Sequence, residues 1–143
     1  KVRKEQEQKW LSNYHVREKM RNQFNILVID DEPGIRITLA GILEDEGYNV
    51  VVAEDGYQGI VAAEKMNFKV AFIDMKMPGI NGIETYKGIK IASPDTFIFF
   101  MTAFLSEDTL NEVTNLKTRA ILYKPIDPDL ILKALQKGEP FHI

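Results

Sequence analysis

From Asn25 onward the chain alternates short unbroken apolar runs with longer stretches in which apolar residues recur every three or four positions. The runs are Ile26–Ile29, Val50–Ala53, Val70–Ile73, Phe97–Met101 and Ala120–Tyr123. Apolar runs of this length without polar interruption mark parallel strands covered on both faces. Between the first two, Asp31-Glu32-Pro33 places acids and a proline in a first helical turn, and Ile35, Leu39, Ile42 and Leu43 follow at helical spacing until Gly47. Asp55-Gly56 reads as a turn, with a helix over Ile60 to Met66. Gly82 to Ile91 forms the next helix through Ile83, Tyr86 and Ile89, and Ser93-Pro94-Asp95 ends it in a turn. Ser106 reads as an N-cap, with Leu105 and Leu110 at the spacing of a hydrophobic staple. Asp127-Pro128 opens a last helix carrying Ile131, Ala134 and Leu135, closed by Gly138. Five β-α units with short connections predict an α/β fold, a parallel sheet with helices on both faces.

Residues 1–24 break this rhythm. Trp10, Leu11, Tyr14, Val16, Met20 and Phe24 fit neither a heptad nor a sustained 3.6-residue stripe, yet the segment holds no glycine or proline. It is expected to be a helical extension: a linker or signalling helix, with a solvated helix favoured over a basic partner-binding arm. The chain therefore divides into a helical extension at 1–24, a globular domain at 25–138 and a short tail at 139–143. His15 lies in the extension without the surroundings of a phosphorylated histidine and reads as incidental.

Composition narrows the classes. At 143 residues with 45% hydrophobic and 27% charged side chains, the chain suits one globular domain with a sizeable core. The absence of cysteine excludes disulfides and thiolate metal sites and fits a cytoplasmic setting. No apolar stretch approaches spanning length and the N-terminus is too polar for a signal peptide, so no membrane insertion is expected. The net charge of −3 hides a split: residues 1–25 carry seven basic and three acidic side chains, whereas 26–143 carry eleven and eighteen. An acidic body argues against direct binding of nucleic acid, which needs clustered Lys and Arg. It does suit a cation.

The chemistry gathers where the apolar runs end. Val70–Ile73 ends at Asp74, Ile26–Ile29 at Asp30-Asp31, Phe97–Met101 at Thr102, and Ala120–Tyr123 at Lys124. In open parallel sheets, ligands bind outside the carboxyl ends of the strands. Acids, a hydroxyl and an amine are therefore expected at one edge. Asp30, Asp31 and Asp74 are enough to hold magnesium, which takes a few carboxylates together with water and phosphate oxygens. The plainer reading, that Asp30-Asp31-Glu32 only caps a helix, leaves two acids unexplained. A carboxylate can attack phosphorus to form an aspartyl phosphate. A metal and an ammonium would stabilise charge on the equatorial oxygens, with Thr102 and Lys124 in reach of them.

These residues together carry a resemblance. The Asp30-Asp31 pair, Asp74-x-x-Met77-Pro78-Gly79-x-x-Gly82, Thr102-Ala103 and Lys124-Pro125, in this order, resemble the receiver domain of bacterial two-component response regulators over residues 26 to about 137. The resemblance implies a flavodoxin-like five-stranded sheet of order 2-1-3-4-5. It implies that Asp74 accepts phosphate from a histidine kinase or phosphotransfer protein. Asp30, Asp31, Asp74 and the main-chain carbonyl of Lys76 would then hold Mg2+, or Mn2+ in its place. Thr102 and Lys124 would sense the phosphoryl group, with Ala103 associated with the switch. Pro78 and Gly79 would shape the loop, and the Lys124-Pro125 bond would be cis. The signal would leave through the fourth helix, fifth strand and fifth helix counted from Pro33, toward a downstream protein or output domain, with a homodimer as one form of output.

The chain also departs from the family. Where members carry Tyr or Phe three residues before the site lysine, this sequence has Ile121, and its aromatic Tyr123 adjoins Lys124 instead. Helix movement through Thr102 is the route that remains. Lys76 and Phe104, two residues beyond Asp74 and Thr102, are expected to tune access to the phosphate. Two rivals stay open. A degenerate receiver that binds partners without phosphate is disfavoured by retention of all five site residues. An aspartate-nucleophile phosphatase needs a second acid two residues beyond the nucleophile, where this chain has Lys76. The few residues after the last helix suggest either a stand-alone regulator or a receiver from a longer protein.

Overall fold

The apolar runs become five strands: β1 (Asn25–Ile29), β2 (Asn49–Ala53), β3 (Val70–Asp74), β4 (Phe97–Thr102) and β5 (Ala120–Tyr123). They pair in parallel in the order β2-β1-β3-β4-β5, as the resemblance implied. The structure, a computed structural model, describes residues 2–22 and 24–136, and the side chains of 3–13 and 24–136. The expected helix end at Gly138, the tail at 139–143 and the side chain of His15 lie outside the described residues.

Alternation along each strand builds two cores, one on each face of the sheet. Leu27, Ile29, Ala71, Ile73, Ile98 and Phe100 point to one side, where α3 (Gly56–Lys65), α4 (Gly82–Ala92) and α5 (Glu107–Thr114) contribute Ala63, Ile83, Tyr86, Ile89 and Val113. Ile26, Val28, Val70, Phe72, Phe99, Met101 and Leu122 point to the other. There they meet Leu39 and Leu43 of α2 (Pro33–Asp45) and Ile131 and Leu135 of α6 (Pro128–Gln136). Burying each of the Val, Leu, Ile, Phe and Met side chains among them contributes about 1.5–3 kcal/mol. The Phe72 and Phe99 rings stack with centroids 5.2 Å apart. This double burial explains why the central strands read as unbroken apolar runs.

Helix ends follow local chemistry. Asp55 accepts from Gln58 N (2.8 Å) and Ser106 from Thr109 N (3.2 Å). Asn81 and Glu84 form a reciprocal capping box that periodicity alone did not predict. At α2 the expectation needs correction: no acid occupies the first turn. Glu32 is itself the N-cap, in extended conformation, and its side chain makes no capping bond. Gly47, at φ +92°, leaves that helix in the left-handed region where glycine is favoured. Tyr86 of α4 reaches the turn before β5, its hydroxyl accepting from Lys117 N at 2.9 Å and donating to Lys117 O at 3.3 Å. The extension is helical as expected, α1 (Val2–Asn22), with Trp10 and Leu11 exposed. No helix among the described residues is long and apolar enough to cross a membrane.

Candidate functional site

The sheet delivers four polar groups to one edge. Asp30 follows β1, Asp74 closes β3, Thr102 closes β4 and Lys124 follows β5. Register sets their depth: Ile29 pairs with Ile73, Asp74 with Met101 and Thr102 with Tyr123. Asp30, Asp74 and Thr102 are buried at 0%, 4% and 2% exposure, so their polar atoms must find partners inside the protein. Asp31, one residue beyond Asp30, is exposed.

Lys124 is the hub. Its Nζ lies 3.0 Å from Asp30 Oδ2, 3.5 Å from Asp74 Oδ1 and 3.3 Å from Glu32 Oε1. The contact with Glu32 is a hydrogen bond donated by the ammonium. Asp30 Oδ2 is the closest of the three, a wholly buried oxygen engaged by this ion pair. Asp30 Oδ1 accepts from Glu32 N at 2.9 Å, which fixes the carboxylate plane. Arg36 Nη1 donates to Asp30 O at 2.8 Å and so braces the backbone at the end of β1.

Burial, and next the neighbouring Asp30 charge, push the Asp74 carboxyl up to about 7; Lys124 opposes that rise. For Lys124 itself burial pulls downward, but Asp30, Asp74 and Glu32 together raise the ammonium above its usual value. The site thus holds more negative charge than one lysine balances. Carboxylate oxygens of Asp30, Asp31 and Asp74 lie within 4.8 Å of one another. A surplus of acid and a set of oxygen-only donors within reach of one another together fit a hard divalent cation.

The surrounding loops are tightly seated. Gly82 opens α4 against the backbone of the site: a Cβ there would stand 2.7 Å from Asp74 O and 2.8 Å from Met75 Cα. Gly79 takes φ +85° beside Pro78, and the Lys124-Pro125 bond is cis. Lys76 is exposed and its N–H lies 3.5 Å from Asp74 Oδ1. The Thr102 hydroxyl donates to Phe104 O at 2.9 Å and accepts from Phe104 N at 3.3 Å, so it is engaged by its own loop. Ala103 and Phe104 are exposed. Ile121 is half-buried against the core on the α4 and α5 face, whereas Tyr123 is 54% exposed, so no aromatic ring lies where the resemblance would place one.

The structure therefore brings Asp30, Asp74 and Lys124 into contact, with Asp31 beside them and Thr102 at the adjacent strand end. Sequence reasoning missed two participants. Arg36 gives no signal beyond lying on the first turns of α2, and Glu32 was weighed only as part of a cap. Gly82 was matched by spacing, but its reason, close backbone approach, is visible only in three dimensions.

Comparison with known proteins gives a concordant picture. Residues 26–136 match the response regulator receiver domain family. The chain is 35% identical over 115 residues to the sporulation initiation phosphotransferase F of Bacillus subtilis, covering 80% of this chain and 93% of that one. It is 33% identical over 119 residues to the transcriptional regulatory protein ZraR of Salmonella typhimurium, covering 83% of this chain but spanning only 27% of that protein. Among solved structures, the chemotaxis protein CheY4 of Vibrio cholerae superposes with a TM-score of 0.74 at 31% identity, covering 80% of this chain and 97% of that one. The response regulator TrrA of Thermotoga maritima, solved in complex with Mg2+ and BeF, superposes at 0.71 with 29% identity, covering 80% and 97%.

Proposed function

The chain belongs to the response regulator receiver domain family, phosphorylation-dependent switches of signal transduction, and from that premise we propose that Asp74 is its phosphoacceptor. One observation carries the reading: a nearly fully buried strand-end carboxylate stands 3.5 Å from an ammonium and within 4.8 Å of two further acids. In the reaction an Asp74 oxygen bonds to phosphorus as the bond from phosphorus to a histidine nitrogen of the donor breaks. The electron pair leaves on that nitrogen. The donor is a histidine kinase or phosphotransfer protein.

Asp30, Asp31, Asp74 and the main-chain carbonyl of Lys76 would hold Mg2+, which when bound supplies divalent charge against the phosphoryl oxygens. Lys124 turns its ammonium to one of those oxygens and Thr102 donates its hydroxyl to another. To do so, Thr102 gives up its bond to Phe104 O, which loosens the loop leading into α5. The signal then passes to the face of α5, β5 and α6, with Ala103 and Thr102 as the moving part and Ile121 as a fixed packing residue. Water later attacks phosphorus, the bond from Asp74 to phosphorus breaks with its electron pair on the carboxylate, and inorganic phosphate leaves. Residues 25–138 form the receiver, residues 1–24 are a helical extension or linker, and a downstream protein or output domain reads the switched face in the cytoplasm.

Incubation with Mg2+ and acetyl phosphate should add one phosphoryl group, read by intact mass, and Asp74→Asn should abolish it. Undiminished labelling of that variant would overturn the assignment.

A further inference from the structure

Lys124 does not wait free for a phosphoryl group. Its ammonium carries three protons, and three carboxylates surround it. The three partners differ. Asp30 is wholly buried and its other oxygen is tied to Glu32 N. Asp74 is fixed at the end of β3. Glu32 has a flexible side chain that is 62% exposed, yet it receives the ammonium's hydrogen bond across 92 residues of sequence.

A second observation isolates that contact. Glu32 occupies the N-cap of α2, where a short polar side chain ordinarily accepts from the first-turn N–H groups. Its carboxylate makes no such bond and reaches to Lys124 instead. Among the three acids on the ammonium, Glu32 is also the one able to withdraw into solvent without moving a strand end.

From this we propose that Glu32 is the resting counter-ion of Lys124, a positioning residue that holds the ammonium until an incoming phosphoryl group displaces it and thereby limits the rate of phosphorylation. The inference rests on the reading of Asp74 as phosphoacceptor. Two effects act in one direction. The phosphoryl oxygens must compete with Glu32 for Lys124, and the Glu32 charge at the mouth of the site repels an anionic donor. The competing pair is partly exposed, so its hold is modest and sensitive to salt. Replacing Glu32 with Gln keeps its length and removes no capping bond from α2, because the Glu32 side chain makes none.

The test compares wild type and Glu32→Gln, both with Mg2+, labelled by acetyl phosphate at low ionic strength and followed by intact mass. The variant should label about three- to tenfold faster, an advantage that narrows as salt rises. It should narrow likewise with phosphoramidate, which brings less net negative charge than the acetyl phosphate dianion. A purely structural role for Glu32 would not produce that dependence on salt and donor charge. Labelling of the variant at the wild-type rate or slower, or an advantage indifferent to salt, overturns the inference while leaving Asp74 as phosphoacceptor. If wild type takes no phosphate, the phosphoacceptor reading fails and this inference with it.

Discussion

Asp74→Asn should make the metal-free protein more stable at pH 8, because the native fold holds the Asp74 charge in a place that disfavours it. The carboxyl ionises near 3.8 in the unfolded chain and near 7 in the native one, about three units apart, which corresponds to about 4 kcal/mol. The sign follows from the direction of the shift. Below the unfolded value both states hold the proton and nothing is lost. Between the two values the unfolded chain has released it while the native protein retains it, so stability falls as pH rises through this window. Above about 7 the deficit is complete. Asparagine mimics the protonated form at every pH and still leaves Lys124 paired with Asp30 and Glu32. The variant should therefore exceed wild type by roughly 2–4 kcal/mol at pH 8, shrinking to about 1 kcal/mol at pH 4.5. Urea unfolding in EDTA reads this directly, as a midpoint higher by about 1–2 M at pH 8 with an unchanged slope. A variant no more stable than wild type at pH 8, or a gap equal at both pH values, would refute the reasoning.

Magnesium should raise the thermal midpoint of the wild-type protein by mass action, and Asp30→Asn should lose most of that rise, as a titration of midpoint against Mg2+ would record. Gly82→Ala should cost about 1–3 kcal/mol in urea unfolding and slow labelling of Asp74. Its new methyl would collide with Asp74 O at 2.7 Å and push α4 away from the site; a fully wild-type labelling rate would contradict this.

The central strands were legible because burial on both faces removes every polar residue from them, so each run announces itself and its polar terminus marks the site edge. Asp74, Thr102 and Lys124 could be placed at one edge from that alone, and the family resemblance supplied strand order. What stayed hidden depends on contacts between distant positions. The Lys124–Glu32 bond joins two loops that only the fold brings together. Arg36 is an ordinary helical arginine until its guanidinium meets Asp30 O. Asn81 and Glu84 do carry a readable signal, a cap residue with an acid three positions on. Asp31 and Glu32 stand just before the first turn of α2 rather than within it; a charge near a helix start does not say whether it lies inside the helix.

Tyr86 and Val113 give α5 two unlike ends. Near its carboxyl end, Val113 is the one fully buried residue of the helix, and the phenol of Tyr86 clasps the following turn at Lys117 in both directions. At its amino end, Ser106, Glu107 and Asp108 lie in solvent, and the loop before them is held by the Thr102 hydroxyl on Phe104 and by Leu105 against the core. Under the proposed function the helix would serve as a short lever with its fulcrum at Val113, a change at Thr102 being read out as tilt.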